Sequence, residues 1–352
     1  MDRRYAMVPG DGIGIDVTRE AVKVLEAASK AFGFGLALEH FDYGAERYLA
    51  TGVTLPDGAL EAWSQFDAVF MGAFGDPRVP DMKHAADILL GTRFRMDLYA
   101  NVRPVRCLAE RLCPLRNYAA SDVDFVVFRE NTEGAYVGIG GIFKKGTADE
   151  IGIQEDVNTR KGVERIIRAA FVYAAAEGRK KVTMSDKSNA LRHAHDLWQR
   201  VFATVAAEYP GIAANHLYVD ALTMQLIKDP SQFDVIVTCN MFGDIVTDLG
   251  AALQGGLGMA ASGNLHPGRT SMFEPVHGSA PKYAGTDTAN PFGAILTAAM
   301  MLEHTGLPEA ARAVEAAVVA CCEARECTAD VGGSLGTRAA ADAVVRRMRK
   351  AS

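Results

Sequence analysis

The stretch CNMFGDIVTDLG, residues 239–250, sets two aspartates, Asp244 and Asp248, four positions apart in an otherwise apolar segment. On a helix they share one face, where like charges repel, weakly in water and more strongly where water is excluded. Two readings offset that repulsion. A helix start favours negative charge through its macrodipole. Alternatively a divalent cation lies against both, with Asp220, at the end of the apolar run HLYVD, as a third oxygen ligand. Hard ions such as Mg²⁺ or Mn²⁺ take a few carboxylates plus substrate and water.

Further residues have the right chemistry to act on a substrate beside such an ion. Lys187, in TMSDKSNAL, is either a solvated surface lysine or, in a cleft, a proton acceptor. Tyr136, in FRENTEGAYVG, is either a core tyrosine or a proton donor. Arg93, Arg103 and Arg129, read as lying at strand edges, offer guanidinium forks that grip carboxylates, or serve as ion-pair partners at the surface. His193 and His195 are two apart and so on different faces of a helix, which rejects them as a metal pair. The glycines of VPGDGIG (Gly10, Gly12 and Gly14) are spaced G-x-G-x-G rather than as a dinucleotide fingerprint. They fit a tight strand-to-helix turn or a nucleotide contact.

These residues need elements to hold them. RYAMVPGDGIGIDVTREAVKVLEAASKAF reads as a strand, a glycine turn and a helix whose Val17, Ala21, Val24, Leu25 and Ala28 keep a helical period. Similar alternation recurs in FDAVFMGAFGDP, DFVVFRE, KVTMSD, NHLYVDALTMQLI and FDVIVTCNMFGD, which makes the architecture α/β. Residues 138–156 break the rhythm with glycines and short alternating runs, and read as a projecting hairpin or arm of the kind that pairs with another chain. With 352 residues, 49% of them hydrophobic, the chain has enough apolar surface for more than one domain.

Composition removes several classes of function. Acidic residues outnumber basic ones, 43 to 37, for a net charge of −6, so no nucleic-acid partner is expected. The six cysteines lack C-x-x-C spacing and read as reduced packing residues. No apolar run approaches the roughly 18 residues of a membrane span, and MDRRYAMVPGDG has no signal-peptide core; a cytoplasmic protein without a membrane partner is expected. No P-loop, nucleophile elbow or metalloprotease helix points to a hydrolase or phosphotransferase.

Taken together, VPGDGIG, LYANVRPVR, FRENTEGAYVG, DKSNAL, YVDA, NMFGDIVTDL and EPVHGSAP followed by ANP resemble the β-decarboxylating dehydrogenases. That family holds the 3-isopropylmalate, isocitrate, homoisocitrate and tartrate/D-malate dehydrogenases. The resemblance runs in order along nearly the whole chain. It implies an isopropylmalate dehydrogenase-like α/β fold, not Rossmann, with two domains sharing a large mixed sheet. The first domain would comprise 1–100 and 255–352, with the cofactor loops, and the second 101–254, with the arm and the metal-site aspartates. It also implies a homodimer with shared active sites, in which the arm pairs across the interface and Lys187 and Asp220 reach into the neighbour's cleft.

Carried over by motif, Arg93, Arg103 and Arg129 would hold substrate carboxylates, and Asp220, Asp244 and Asp248 would hold Mg²⁺ or Mn²⁺. Lys187, with Asp220 beside it, would accept the hydroxyl proton, and Tyr136 would return one to C3. Nicotinamide contacts would come from Asn189 and Glu274, adenosine contacts from Ile13, His277, Gly278, Ala280 and Asn290. HGSAPKYAG places Lys282 and Tyr283 where NAD-type relatives carry an acid, which suits NADP; yet the tyrosine and arginine that complete an NADP site have no match in TADVGGSLGTRAAADAV, so the cofactor is NAD or NADP, with NAD favoured. The helix in DMKHAADILLGTRF would face the substituent on C3 with Ala86, Leu89 and Leu90, favouring an apolar group and thus 3-isopropylmalate, the leucine-biosynthesis substrate. VPD at 79–81 resembles the tartrate/D-malate branch, and a homoisocitrate-type or other 3-alkylmalate enzyme is a further alternative. From a different class, a non-catalytic acid-binding protein would not need Tyr136 and Lys187 beside three aspartates.

Overall fold

The structure, a computed structural model, describes residues 2–348. In chain order its main elements are β1 (Asp2–Gly10), α1 (Ile13–Phe32), β2 (Gly35–His40), α2 (Ala45–Thr51), α3 (Ala59–Trp63), β3 (Ala68–Ala73), α4 (Lys83–Arg95) and β4 (Ala100–Arg106). There follow β5 (Asp124–Glu130), β6 (Gly140–Phe143), β7 (Ile151–Gln154), α5 (Arg160–Ala176), β8 (Lys181–Asp186), α6 (Ala194–Ala206), β9 (Ala213–Tyr218), α7 (Val219–Lys228), β10 (Val235–Thr238) and α8 (Asn240–Leu253). The chain closes with β11 (Gly263–Leu265), β12 (Ser271–Phe273), α9 (Phe292–His304), α10 (Pro308–Glu323) and α11 (Thr337–Arg347). Ten of these strands belong to one mixed sheet, the α/β class expected from the alternation. Two compact units emerge. One contains residues 2–98, Arg103–Val123 and 251–348; the other contains Tyr99–Val102 and Asp124–Gly250. β4 is divided between them, and segment 103–123, assigned above to the second domain, groups with the first unit.

In the first unit the strand order is β2-β1-β3-β12-β11, with β1 parallel to β2 and β3, and β11 antiparallel to β12. Tyr5 to Val8 are fully buried on β1, and Val17, Ala21, Val24, Leu25 and Ala28 form the buried stripe of α1. The turn between them needs its glycines. Gly10 has φ +74, and a Cβ there would lie 2.2 Å from the Ala73 carbonyl oxygen.

Asp11, within that turn, ties three further segments together. Its carboxylate accepts from the Ala45 amide (2.7 Å), the Gly75 amide (2.8 Å) and His84 Nε2 (2.8 Å). His84, in the first turn of α4, is fully buried and stacks on Tyr48. One buried carboxylate thereby links the glycine turn, the start of α2, the loop after β3 and the start of α4.

The second unit has the parallel order β5-β10-β8-β9. Helix α5 starts at Thr159, whose hydroxyl accepts from the Gly162 amide, and packs its buried Val163, Ile166, Ile167 and Ala170 against β5 and β10. The hairpin read at 138–156 is present as β6 and β7, antiparallel, with Gly140 opposite Gln154 and Phe143 opposite Ile151. Every residue of those two strands is exposed. NHLYVDALTMQLI divides into strand β9 and helix α7. Asp220 therefore lies in the first turn of α7, not at a strand end, because β9 stops at Tyr218.

Candidate active site

In the second unit three of the expected residues converge. β5 delivers Arg129 at its end, almost fully buried. Its Nε donates to Asn240 Oδ1 (3.0 Å) and its Nη1 donates to Asp244 Oδ1. The arginine lies across α8 because residue 243 is glycine; a Cβ there would sit 2.5 Å from Arg129 Cγ. Tyr136, on a short turn after β5, donates its hydroxyl to Asp244 Oδ2 (2.9 Å), and the Arg129 guanidinium stands 5.2 Å from its ring centre. Both oxygens of Asp244 thus meet donors, one of them charged.

The helix-start reading of the aspartate pair does not survive. α8 begins at Asn240 and its first turn carries no acidic residue, so Asp244 and Asp248 lie beyond the span where the dipole is strongest. Arg129 and Tyr136 offset the charge of Asp244 instead, while Asp248 is exposed one turn further along. Asp220 lies elsewhere in the unit. Among the described residues of one chain, no three Asp, Glu, His or Cys side chains converge as a cation site.

Asp220 is paired with Lys187, whose Nζ donates to its Oδ1 at 2.6 Å and lies 5.8 Å from the Tyr218 ring centre. The ammonium, chiefly through that hydrogen bond, holds the Asp220 carboxyl below its ordinary range. Lys187 immediately follows β8, after Asp186, whose buried carboxylate accepts from the Ser188 amide (3.1 Å), His216 Nε2 (2.8 Å) and Gln199 Nε2 (2.8 Å). Asn189 is exposed on the same loop.

In the first unit Arg93 occupies the last turn of α4 rather than a strand edge, and Arg103 is buried on β4. Arg93 Nη2 donates to Glu274 Oε1 at 2.6 Å, and Asn264 Nδ2 donates to the same oxygen at 2.9 Å. Burial works to raise the Glu274 pKa, but Arg93, Asn264 and the charge of Arg103 together hold it below its ordinary value. On α4, Ala86 is exposed and Leu90 half-buried. Leu89 packs against a core cluster that includes Trp63, Val69 and Ile88, which leaves it less available to a ligand than expected.

The loops expected to hold the cofactor meet in this unit. The Ile13 amide donates to the Ser279 carbonyl (2.7 Å), and a Cβ on Gly12 would lie 2.2 Å from that oxygen, so VPGDGIG and HGSAPKY are pressed together. Ala280 has φ +36, and Gly278 is exposed beside it. Burial lowers the His277 pKa; its Nδ1 lies 3.1 Å from the Gly278 carbonyl, and its Nε2 is buried with no hydrogen-bond partner among the described residues. That orphaned acceptor fits a donor on a bound nucleotide. Asn290 Oδ1 accepts from the Phe292 amide at the start of α9, and its Nδ2 donates to Asp330 Oδ2 (3.0 Å). Lys282 and Tyr283 are exposed, with the ammonium 4.7 Å from the ring centre.

Sequence reasoning missed Asn240, Asp11 and His84. The first had a signal, an amide side chain directly between strand and helix; the other two act through long-range contacts that local pattern does not carry.

Comparison with known proteins identifies the family. The model of the isocitrate/isopropylmalate dehydrogenase family matches residues 4–344. The 3-isopropylmalate dehydrogenase of Thermobifida fusca is 46% identical over 347 residues, covering 98% of this chain and 97% of the relative. That of Beutenbergia cavernae is 49% identical over 341 residues, covering 95% and 98%. The crystal structure of isocitrate dehydrogenase from Methylococcus capsulatus superimposes with a TM-score of 0.89 at 39% identity, covering 99% of each chain. No described helix is long and apolar enough to cross a membrane. With its mixed sheet, a family model matching nearly the whole chain and near full-length relatives, the chain belongs to the isocitrate/isopropylmalate dehydrogenase family and is a decarboxylating dehydrogenase.

Proposed function

We propose that the enzyme oxidises the C2 hydroxyl of a 3-substituted D-malate and releases CO₂, using NAD(P) and Mg²⁺ or Mn²⁺, and that the substrate is 3-isopropylmalate. The observation that carries this reading is the cluster of Arg129, Tyr136 and Asp244: an anion-gripping fork, a proton-bearing phenol and a carboxylate in one hydrogen-bonded group. An all-carboxylate donor set suits a hard cation, with Asp244 and Asp248 on α8 and Asp220 as the third ligand. Since the three do not converge within one chain, the reading takes Asp220 and Lys187 from a second copy, in a homodimer. Apolar side chains left in solvent support that assembly: Ile142 and Phe143 on the arm, Met224 and Ile227 on α7, Met241 and Ile245 on α8.

The chemistry a bound cation would supply is charge compensation at the 2-oxygen, and that of a bound nicotinamide would be a hydride acceptor for C2. Arg93, Arg103 and Arg129 hold the substrate's carboxylates. Lys187, beside Asp220, accepts the C2 hydroxyl proton as oxidation proceeds, and Tyr136 delivers a proton to C3 once CO₂ has left. Ile13, Asn189, Glu274, His277, Gly278, Ala280 and Asn290 line the cofactor's place. Lys282 and Tyr283 stand where a 2′-phosphate would be met, and NAD is the favoured acceptor.

The choice of substrate rests on α4 and on the relatives being 3-isopropylmalate dehydrogenases. Ala86 and Leu90 offer no polar group to a third carboxylate, and Asp87 accepts from the Thr54 hydroxyl (2.9 Å). The test is a panel of 3-isopropylmalate, D-malate, tartrate, isocitrate and homoisocitrate, each with NAD and NADP, with and without chelator. The highest kcat/KM is expected for 3-isopropylmalate, abolished by chelation. A preference for D-malate or tartrate would transfer the assignment to that branch, and no turnover of any of the five would end the reading.

A further inference from the structure

We infer that His195 is a positioning residue for Lys187, fixing the lysine main chain through its Nδ1. This rests on the reading of Lys187 as the proton acceptor. Strand β8 makes its last pairing at Asp186, opposite Tyr218, so the Lys187 amide has passed the end of the ladder. His195 Nδ1 accepts that N–H at 2.9 Å. The Lys187 carbonyl in turn accepts from the Ala190 and Leu191 amides, at 2.9 and 2.8 Å. Both backbone polar groups of Lys187 are therefore committed, and its side chain leaves this fixed point toward Asp220.

The imidazole is itself held. His195 is fully buried in the first turn of α6, and the ring of Phe242 meets it edge-on, 5.5 Å between centres. Its Nε2 faces Asp156 Oδ2 at 3.6 Å, an electrostatic contact rather than a hydrogen bond. Since Nδ1 spends its lone pair on the Lys187 amide, a neutral ring must carry its proton on Nε2, the side that faces the carboxylate. Asp156 is anchored by the Asn158 amide (3.0 Å), and Asn158 by Trp198 Nε1 (2.8 Å). The His195 ring keeps the Asp156 carboxyl below its ordinary range, against burial and with help from Asn158. The chain Trp198–Asn158–Asp156–His195 ends on the Lys187 main chain. Its function is orientation, where a displacement of about 1 Å can cost on the order of 100-fold in rate.

Two isosteres separate this role from simple packing. In His195→Asn the amide oxygen takes the place of Nδ1; in His195→Gln the longer amide takes the place of Nε2 and leaves the Lys187 amide without its acceptor. The expected result is kcat within about threefold of wild type for His195→Asn and a loss of about 10- to 100-fold for His195→Gln and His195→Leu, with KM for the acid substrate unchanged. Equal kcat in the Asn and Leu variants, or in the Asn and Gln variants, would overturn the proposal. Should the variants fail to fold, hydrogen exchange at the Lys187 amide of the wild-type enzyme decides: slow exchange supports the bond, and exchange at the free-peptide rate refutes it. Lys187→Met, assayed alongside, tests the base reading separately. Wild-type turnover in that variant would remove the base, whereas its inactivity with equal His195 variants would defeat only the positioning role.

Discussion

A shared active site makes a quantitative prediction about mixtures. Lys187 and Asp220 form one group, Arg129, Tyr136 and Asp244 another, and among the described residues Asp220 does not converge with Asp244 and Asp248. On the proposed reading Lys187→Met removes the proton acceptor and Tyr136→Phe the proton donor, so each variant alone should fall by about 10²- to 10⁴-fold in kcat. In a twofold dimer with shared sites, a hybrid of the two has one site with both substituted residues and one with neither. Random assortment at equal amounts gives half hybrids with half their sites intact, so roughly a quarter of wild-type activity should return. The assay is to co-express the two variants with different affinity tags, purify through both tags, and measure NAD(P)H formation at saturating acid and Mn²⁺. The doubly tagged fraction should then show roughly half of wild-type activity, one good site per dimer. If it shows no more than the sum of its parents, each chain supplies its own Tyr136 and Lys187, and the shared-site reasoning is wrong.

Arg93→Met should strand Glu274 in its buried setting and cost about 3–5 kcal/mol of stability, read from chemical denaturation. Glu274 has a folded-state pKa below 4.5, so its contribution is present above that value and is lost as pH falls through the depressed one. In Arg93→Met burial is opposed only by Asn264 and the charge of Arg103, so the Glu274 pKa rises relative to wild type and the variant should regain stability relative to wild type as pH falls through that raised value; a pH-independent difference would count against the pairing. Lys282→Asp should shift the ratio of kcat/KM from NADP toward NAD, since a cation is replaced by an anion at the place of a 2′-phosphate. An unchanged ratio would deny Lys282 a role in discrimination.

What could be read from the sequence was whatever rests on local period and turn chemistry. The β1–turn–α1 unit was legible because its glycines and the apolar stripe of α1 lie within one short window, and the arm because glycine punctuates two alternating runs. The end of β9 was not, because the apolar run Leu217, Tyr218, Val219 crosses the strand–helix boundary without a glycine or proline to mark it, so Asp220 could be placed on either side. Arg93 was readable as a fork but not as the partner of Glu274, which lies 181 positions away. Leu89 and Leu90 look alike in a string of letters; only the folded chain shows that Leu89 packs against the core cluster containing Trp63 and Val69. His195 was judged by its spacing from His193, a test for metal ligation that says nothing about an acceptor for a backbone amide eight residues earlier.

The way α4 is fastened separates what can drift from what must stay. Its first turn is locked through His84 to the carboxylate of Asp11, its inner face is buried at Ala85, Ile88 and Thr92, and its last turn carries Arg93. Ala86 lies outside that scaffold and Leu90 only half within it, so replacing them disturbs little packing; exposed positions of this kind usually tolerate change within about 0.5 kcal/mol. If α4 meets the substituent on C3 as proposed, selection could retune which acid is admitted by rewriting two letters, leaving the buried anchors of the helix undisturbed.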